Sequence, residues 1–237
     1  MPVKDDDPIE DDRQLKMTAT LKTMNPPEAT TRLRARIRFT KLDDLRWIGH
    51  RDLMRVWERL FRRAGVLLSM TEGFHPKPRI NFPSALAVGI AGTDELVEVD
   101  FAALYTAEAL REIIAPELPP GMALGAIEIL PGLDHKAQVK HVTFTLEIPP
   151  PRQPALAERL VWLMAHTSLL ITREGRTKPL DLRPLIDRIT LENDTLHLRL
   201  RVDREGSARP REVLDALQIA DLEFEGYFLT RTSVEIE

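Results

Sequence analysis

The segment Arg32-Leu33-Arg34-Ala35-Arg36-Ile37-Arg38-Phe39, read against His50-Arg51-Asp52-Leu53-Met54-Arg55-Val56-Trp57-Glu58-Arg59-Leu60-Phe61-Arg62-Arg63, sets one structural period against another. In the first segment arginines alternate with apolar side chains, the period-two signature of a strand with one apolar face. In the second, at about 100° per residue, Leu53, Met54, Val56, Trp57, Leu60, Phe61 and Ala64 share one arc of a helix. Arg51, Arg55, Arg59, Arg62 and Arg63 take the opposite arc. Gly49 is placed as the N-cap, Asp52 suits the positive end of the helix dipole, and Gly65 stops the helix.

After these two segments the spacing predicts a strand at 66–70, a proline-rich stretch, a strand at 95–101, a helix at 106–115 and a strand at 122–130. Residues 141–237 repeat the order, with strands at 141–148, 168–173, 195–202 and 228–236 and helices at 154–166 and 210–218. Each half thus reads β-α-β-β-α-β, with an insertion of prolines and basic residues between its second and third strands. The expectation is an α+β protein of two tandem ferredoxin-like (split β-α-β) domains, each an antiparallel sheet backed by two helices. The first spans 31–131 and the second 139–237, after an acidic leader at 1–30 that lacks hydrophobic periodicity.

The chain has 237 residues, 43% hydrophobic and 30% charged, enough for two small cores and too apolar for a wholly disordered chain. No apolar run approaches the about 18 residues of a membrane span. The acidic opening Met1-Pro2-Val3-Lys4-Asp5-Asp6-Asp7 differs from a secretory signal, which predicts a cytoplasmic protein. There is no cysteine, which excludes disulfides, thiolate zinc, cysteine nucleophiles and iron–sulfur clusters held by this chain. His135 and His141 have no third ligand in spacing, so neither a metal nor a cofactor is predicted. Charge is uneven: residues 31–82 carry thirteen basic and five acidic side chains, whereas 83–237 carry sixteen and twenty-five. A basic block of this kind points to an anionic partner such as RNA, or else to pairing with the acidic remainder.

Three groups of residues are candidates for contact. Arg51, Arg55 and Arg59 lie on the helix face, where guanidinium groups suit bidentate phosphate contacts; the alternative is a solvated face. His75, Lys77 and Arg79 lie in Gly73-Phe74-His75-Pro76-Lys77-Pro78-Arg79, a loop stiffened by prolines; the alternative is an ordered connector. Asp181 and Arg183, in the matching insertion, form either an internal ion pair or a second contact point. Arg34, Arg36 and Arg38 are expected to pair with Glu98 and Asp100 across neighbouring strands. His50 is a candidate for a general base, against a structural hydrogen-bonding role. No phosphate-cradling glycine motif, zincin motif or serine-hydrolase elbow occurs.

The run Leu45-Arg46-Trp47-Ile48-Gly49-His50-Arg51-Asp52-Leu53-Met54-Arg55, then Arg62-Arg63-Ala64-Gly65, then Glu72-Gly73-Phe74-His75-Pro76-Lys77-Pro78, resembles the radical-SAM-linked protein family. Lys178-Pro179-Leu180-Asp181-Leu182-Arg183-Pro184-Leu185-Ile186, Arg209-Pro210-Arg211-Glu212 and Arg231-Thr232 resemble its later blocks. Gly49 stands where the family usually carries a capping serine, and His75 where it carries asparagine. The resemblance implies a domain of undefined role, fused to or encoded beside cobalamin-binding-type radical SAM proteins, with an association to tRNA or ribosomal RNA modification. Together the residues and the resemblance give the expectation of a non-catalytic RNA-binding or substrate-presenting module acting with a radical SAM protein. The alternatives are a metal-independent RNA-processing enzyme centred on His50 and a protein adaptor with no nucleic-acid role.

Overall fold

A computed structural model describes residues 32–131, 136–175, 177–203 and 206–237. The leader at 1–30 and His135 lie outside the described residues. The first half runs β1 (Leu33–Lys41), α1 (His50–Arg63), β2 (Ile80–Asn81), β3 (Ala91–Phe101), α2 (Ala107–Ile114) and β4 (Leu124–Leu130). The second runs β5 (Val139–Glu147), α3 (Gln153–Ala165), β6 (Leu170–Ile171), β7 (Leu180–Asp181), β8 (Ile186–Glu192), β9 (Thr195–Arg201), α4 (Pro210–Leu217) and β10 (Thr230–Ile236). The fold is mixed α/β, with a mostly antiparallel sheet and four α-helices among the described residues.

The alternation in β1 sorts its side chains as predicted from period two. Ala35, Ile37 and Phe39 are buried with Val97, Val99 and Phe101 of β3, beneath Leu53, Trp57, Leu60 and Phe61 of α1 and Leu110 and Ile114 of α2. Arg34 and Arg36 lie in register with Asp100 and Glu98. Arg34 Nε donates to Asp100 at 2.6 Å and Arg36 Nε to Glu98 at 3.0 Å. These arginines occupy the face that α1 and α2 leave uncovered. Helix α1 ends through Gly65, in the left-handed region at φ 66°, which lets the Val66 N–H return to the Phe61 carbonyl at 3.0 Å. Its last turn carries Arg62 and Arg63, complementing the dipole.

Three expectations need correction. The two halves do not form separate antiparallel sheets. They join in one sheet of order β4-β1-β3-β10-β5-β9-β8, with β2 also on β3, and the β3–β10 pairing is parallel. The expected strand at 66–70 reduces to a bridge between Leu68 and Phe101; the chain then leaves as a hairpin and rejoins β3 only at β2. The expected strand at 168–173 is not in the main sheet. The Asp181 carboxylate accepts the Leu169 N–H at 2.7 Å, and β6 pairs with β7 as a separate two-stranded ribbon. The strand beside β9 is β8, joined to it by Asn193 and Asp194 at φ 49° and 63°. Two consecutive left-handed residues make a tight turn whose twist matches the flanking strands.

The join between the halves is polar at its centre. Arg231 of β10 stands opposite Gly92 of β3 and is 2% exposed. Its Nε donates to Glu95 at 2.8 Å, a second nitrogen also reaches that carboxylate, and the remaining donors meet Ser84 Oγ at 2.8 Å and the Ser84 and Ala85 carbonyls at 3.0 and 3.3 Å. Glu95 folds back over Gly92 so closely that a Cβ there would lie 2.6 Å from its side chain. Lys41 is also buried, donating to the Ile48 carbonyl at 3.0 Å; burial holds its amine below the ordinary lysine range, with Glu95 opposing that shift and Arg231 adding to it. From the same connector, Leu86 and Ile90 insert into the second core with Phe144, Leu214 and Leu229. First-half residues therefore help to fill the second core.

Candidate nucleic-acid interface

The loop singled out for its prolines is an ordered hairpin. The Ser69 N–H donates to the Asp100 carbonyl at 2.8 Å and the Asp100 N–H to the Arg79 carbonyl at 3.0 Å, which fastens its base to β3. Above the base, the Arg79 N–H meets the Ser69 carbonyl at 2.9 Å and the Thr71 N–H meets the Lys77 carbonyl at 2.8 Å. The Lys77 N–H closes the turn on Thr71 Oγ1 at 2.9 Å. Pro76 and Pro78 have no N–H to satisfy and carry fixed φ, so they suit the exposed side of this ladder. Gly73, at φ 116°, makes the sharp turn at the tip. The result is a braced arm whose tip presents Phe74, fully exposed at 102%, beside His75 and Lys77, which are also exposed.

The arginine face of α1 is exposed, but not all of it is free. Arg55 pairs with Asp52 at 3.0 Å, Arg59 Nε reaches the Arg55 carbonyl at 3.4 Å, and Arg63 leaves the helix to grip Glu117 at 2.7 Å. Arg51 and Arg62 have no acceptor among the described residues. His50 lies at the start of the helix with its ring edge-on to Phe82, centroids 5.4 Å apart. It has no hydrogen-bond partner among the described residues, so no neighbouring group orients it for proton transfer. No group of His, Asp or Glu among the described residues is arranged to hold a metal ion. No helix among them is long and apolar enough to cross a membrane.

The candidate residues fall into separate places. Arg51, Arg55 and Arg59 lie on the outer surface of α1, while Phe74, His75 and Lys77 form the hairpin tip. Arg79 turns away from both: its carbonyl pairs opposite Asp100, and its side chain lines a recess on the helix-free face with Arg34, Asn81 and Lys136. No hydrogen bond or ion pair among the described residues joins α1 to the hairpin. In the second half, Asp181 is a structural acceptor. Burial alone would raise its pKa, but the Leu169 N–H, the Ser168 hydroxyl and the Arg183 N–H hold it below the ordinary carboxylate range. Arg183 turns back to the Ile186 carbonyl at 3.4 Å. Arg199 on β9 is saturated: it holds Glu235 at 3.0 Å, Asp187 and His141, and these carboxylates raise its pKa above the ordinary arginine value.

Several residues that organise this region were not legible in the sequence. Arg46 lies against two aromatic rings that stand edge-to-face, 3.8 Å from the Phe228 centroid and 4.7 Å from the Trp47 centroid. The adjacent Arg46-Trp47 pair was a signal; its long-range partner Phe228 was not. Lys136, at the end of the linker between the halves, carried no local signal at all.

A comparison with curated protein sequences found no match. A comparison with protein families matches residues 34–210 to a family described as an uncharacterized protein conserved in bacteria (DUF2344). That match covers β1, α1, the hairpin and most of the second half, and the chain belongs to the DUF2344 family.

Proposed function

We propose that the protein is a non-catalytic, cytoplasmic RNA-binding module that presents RNA to a radical SAM enzyme for modification or processing. The observation that carries the RNA part is Phe74, held in water at the tip of a hydrogen-bonded arm that also exposes His75 and Lys77. Exposing a large aromatic ring has a hydrophobic cost, and a rigid arm presenting one beside cations matches what an unpaired base and its phosphate require. Arg51 and Arg62 on α1 supply further unpaired guanidinium groups for backbone phosphates. The radical SAM part rests on the resemblance of 45–55 and 72–78 to the radical-SAM-linked family. The half-sheet orders β4-β1-β3-β2 and β10-β5-β9-β8 support reading 31–131 and 139–237 as two ferredoxin-like units fused edge to edge.

The test is a titration of single-stranded oligoribonucleotides, followed by fluorescence anisotropy across a range of salt. Phe74→Ala should weaken binding by about 1–3 kcal/mol, the value of one base–aromatic stack. Changing Arg51, Arg55 and Lys77 together to glutamine should reduce the salt slope by roughly 0.7 per lost phosphate contact. Changing Arg199 and Arg201 should do much less, because both are engaged by Asp187. Equal losses from both sets would reduce the site to general charge attraction. A second reading, a protein adaptor, is favoured by the outer side of α3, where Val161 is 72% and Met164 47% exposed, and by Phe224 at 94%. A cellular pull-down with and without ribonuclease separates the two.

A further inference from the structure

Beneath the hairpin, on the sheet face that no first-half helix covers, lies a recess of about 220 Å³. Thr71, Pro78 and Arg79 of the hairpin form one wall, Arg34, Asn81, Glu98 and Asp100 of the sheet the floor, and Lys136 of the linker the rim. It is smaller than the roughly 300–1,000 Å³ of pockets that enclose whole small molecules, so it fits a functional group rather than a metabolite.

What that group must be follows from the hydrogen bonds already made. The carboxylates on the floor are occupied. Asp100 accepts two bonds from Arg34, at 2.6 and 3.1 Å. Glu98 accepts Arg36 Nε at 3.0 Å, the Ala137 N–H at 2.9 Å and Asn81 Nδ2 at 3.1 Å. Arg34–Asp100, buried, and Arg36–Glu98, partly buried, therefore cancel as ion pairs. Arg79 spends only Nε, on the Met70 carbonyl at 3.1 Å; its terminal nitrogens and the Lys136 ammonium have no acceptor among the described residues. Thr71 Oγ1 accepts the Lys77 N–H, which leaves its own hydrogen to donate. The groups left open are donors, and two of them carry uncompensated positive charge.

We infer that this recess is a phosphoryl-binding site, with Arg79 and Lys136 as its charged ligands and Thr71 as a hydroxyl donor. The inference rests on the RNA-binding reading for its biological ligand, a nucleic-acid phosphate, but the site's chemistry stands apart from it. Arg79 offers the planar pair of donors that suits phosphate oxygens, and Lys136 a point charge. The site is separate from the α1 surface: a strand anchored here would run along the helix-free face and meet the hairpin tip from that side.

Inorganic phosphate is the first probe, followed by NMR chemical shifts on the full chain. Saturable shifts confined to 71, 79–81 and 136–137 are the expected result. Arg79→Gln and Lys136→Gln should each weaken phosphate binding by about tenfold, the equivalent of roughly 1.4 kcal/mol, while Arg188→Gln, which removes an exposed cation on β8, leaves it unchanged. Oligoribonucleotides with and without a 5′-phosphate then distinguish the source. A gain from the 5′-phosphate that is lost in Arg79→Gln assigns the recess to a strand end, and equal affinity with the same loss assigns it to an internal phosphodiester. Absence of saturable shifts, or shifts unchanged in both variants, would overturn the site. Because phosphate is read without RNA, that failure is distinct from failure of Phe74→Ala to weaken RNA binding.

Discussion

Replacing Arg231 by methionine keeps most of the side chain's length and removes its charge. In the native protein the guanidinium makes two bonds to Glu95 and three to Ser84 and Ala85, all within a region that excludes water. The variant leaves the Glu95 carboxylate, 3% exposed, without its main partner. Removing one member of a buried pair costs about 3–5 kcal/mol, because the surviving charge stays desolvated. Lys41 interacts electrostatically with Glu95 and offsets part of that, which places the loss near the lower end. With a urea slope near the upper end of the usual range, about 3 kcal/mol per molar, the midpoint should fall by about 1 M. The assay is urea unfolding followed separately by tryptophan fluorescence and circular dichroism. The two probes should also part company, since Arg231 ties β10 to β3 and both to the 83–90 connector. The double variant Arg231→Met with Glu95→Gln should recover part of the loss, because a neutral amide is far less costly to bury than a carboxylate. A midpoint shift below about 0.3 M, or a double variant no more stable than the single one, would refute the assignment of Arg231 as the lock between the halves.

Other perturbations test separate parts of the fold. Burial alone would raise the Glu212 pKa, but Arg173, at 2.6 and 2.7 Å, and the Arg209 N–H hold it below its ordinary value of 4.5. A carboxyl depressed in the folded state stabilises above its unfolded pKa and loses that contribution as pH falls through the lower folded value. Arg173→Gln should therefore reduce stability at neutral pH and flatten the acid limb of melting temperature against pH; an unchanged limb would contradict the coupling. Trp57→Ala empties the centre of the first core, where Trp57 is fully buried and packs edge-on to Phe39 at 5.1 Å, and should cost about 3–5 kcal/mol in denaturant unfolding. Gly121 sits at φ 81°, and an added Cβ would lie 2.7 Å from the Leu42 carbonyl oxygen; Gly121→Ala should cost at least about 1–3 kcal/mol, measured by thermal unfolding.

Local periodicity made much of the chain legible. The alternation of 32–39 located β1 and its two faces, the arc of Leu53, Trp57, Leu60 and Phe61 located α1, and the spacing over 106–115 located α2. The pairing of Arg34 and Arg36 with Asp100 and Glu98 was readable because both strands alternate and both polar faces carry charge of opposite sign. The second half was less legible at 168–192. Leu169-Leu170-Ile171 is apolar enough to suggest a sheet strand, yet Asp181 draws it into a separate ribbon, and the strand beside β9 is signalled by Asn193-Asp194, a two-residue turn between alternating runs.

The type and order of most elements follow from local sequence, because helix and strand periods are properties of a few adjacent residues. The tertiary structure alone decided that one sheet runs through both halves, that Arg79 faces away from α1, and that Lys136 joins it above Asp100. Those outcomes depend on pairings such as Arg231 with Glu95 and Ala137 with Glu98. Residues so far apart in the chain leave no periodic trace in one another's neighbourhood; they meet because a buried charge requires a partner and an open strand edge requires a strand.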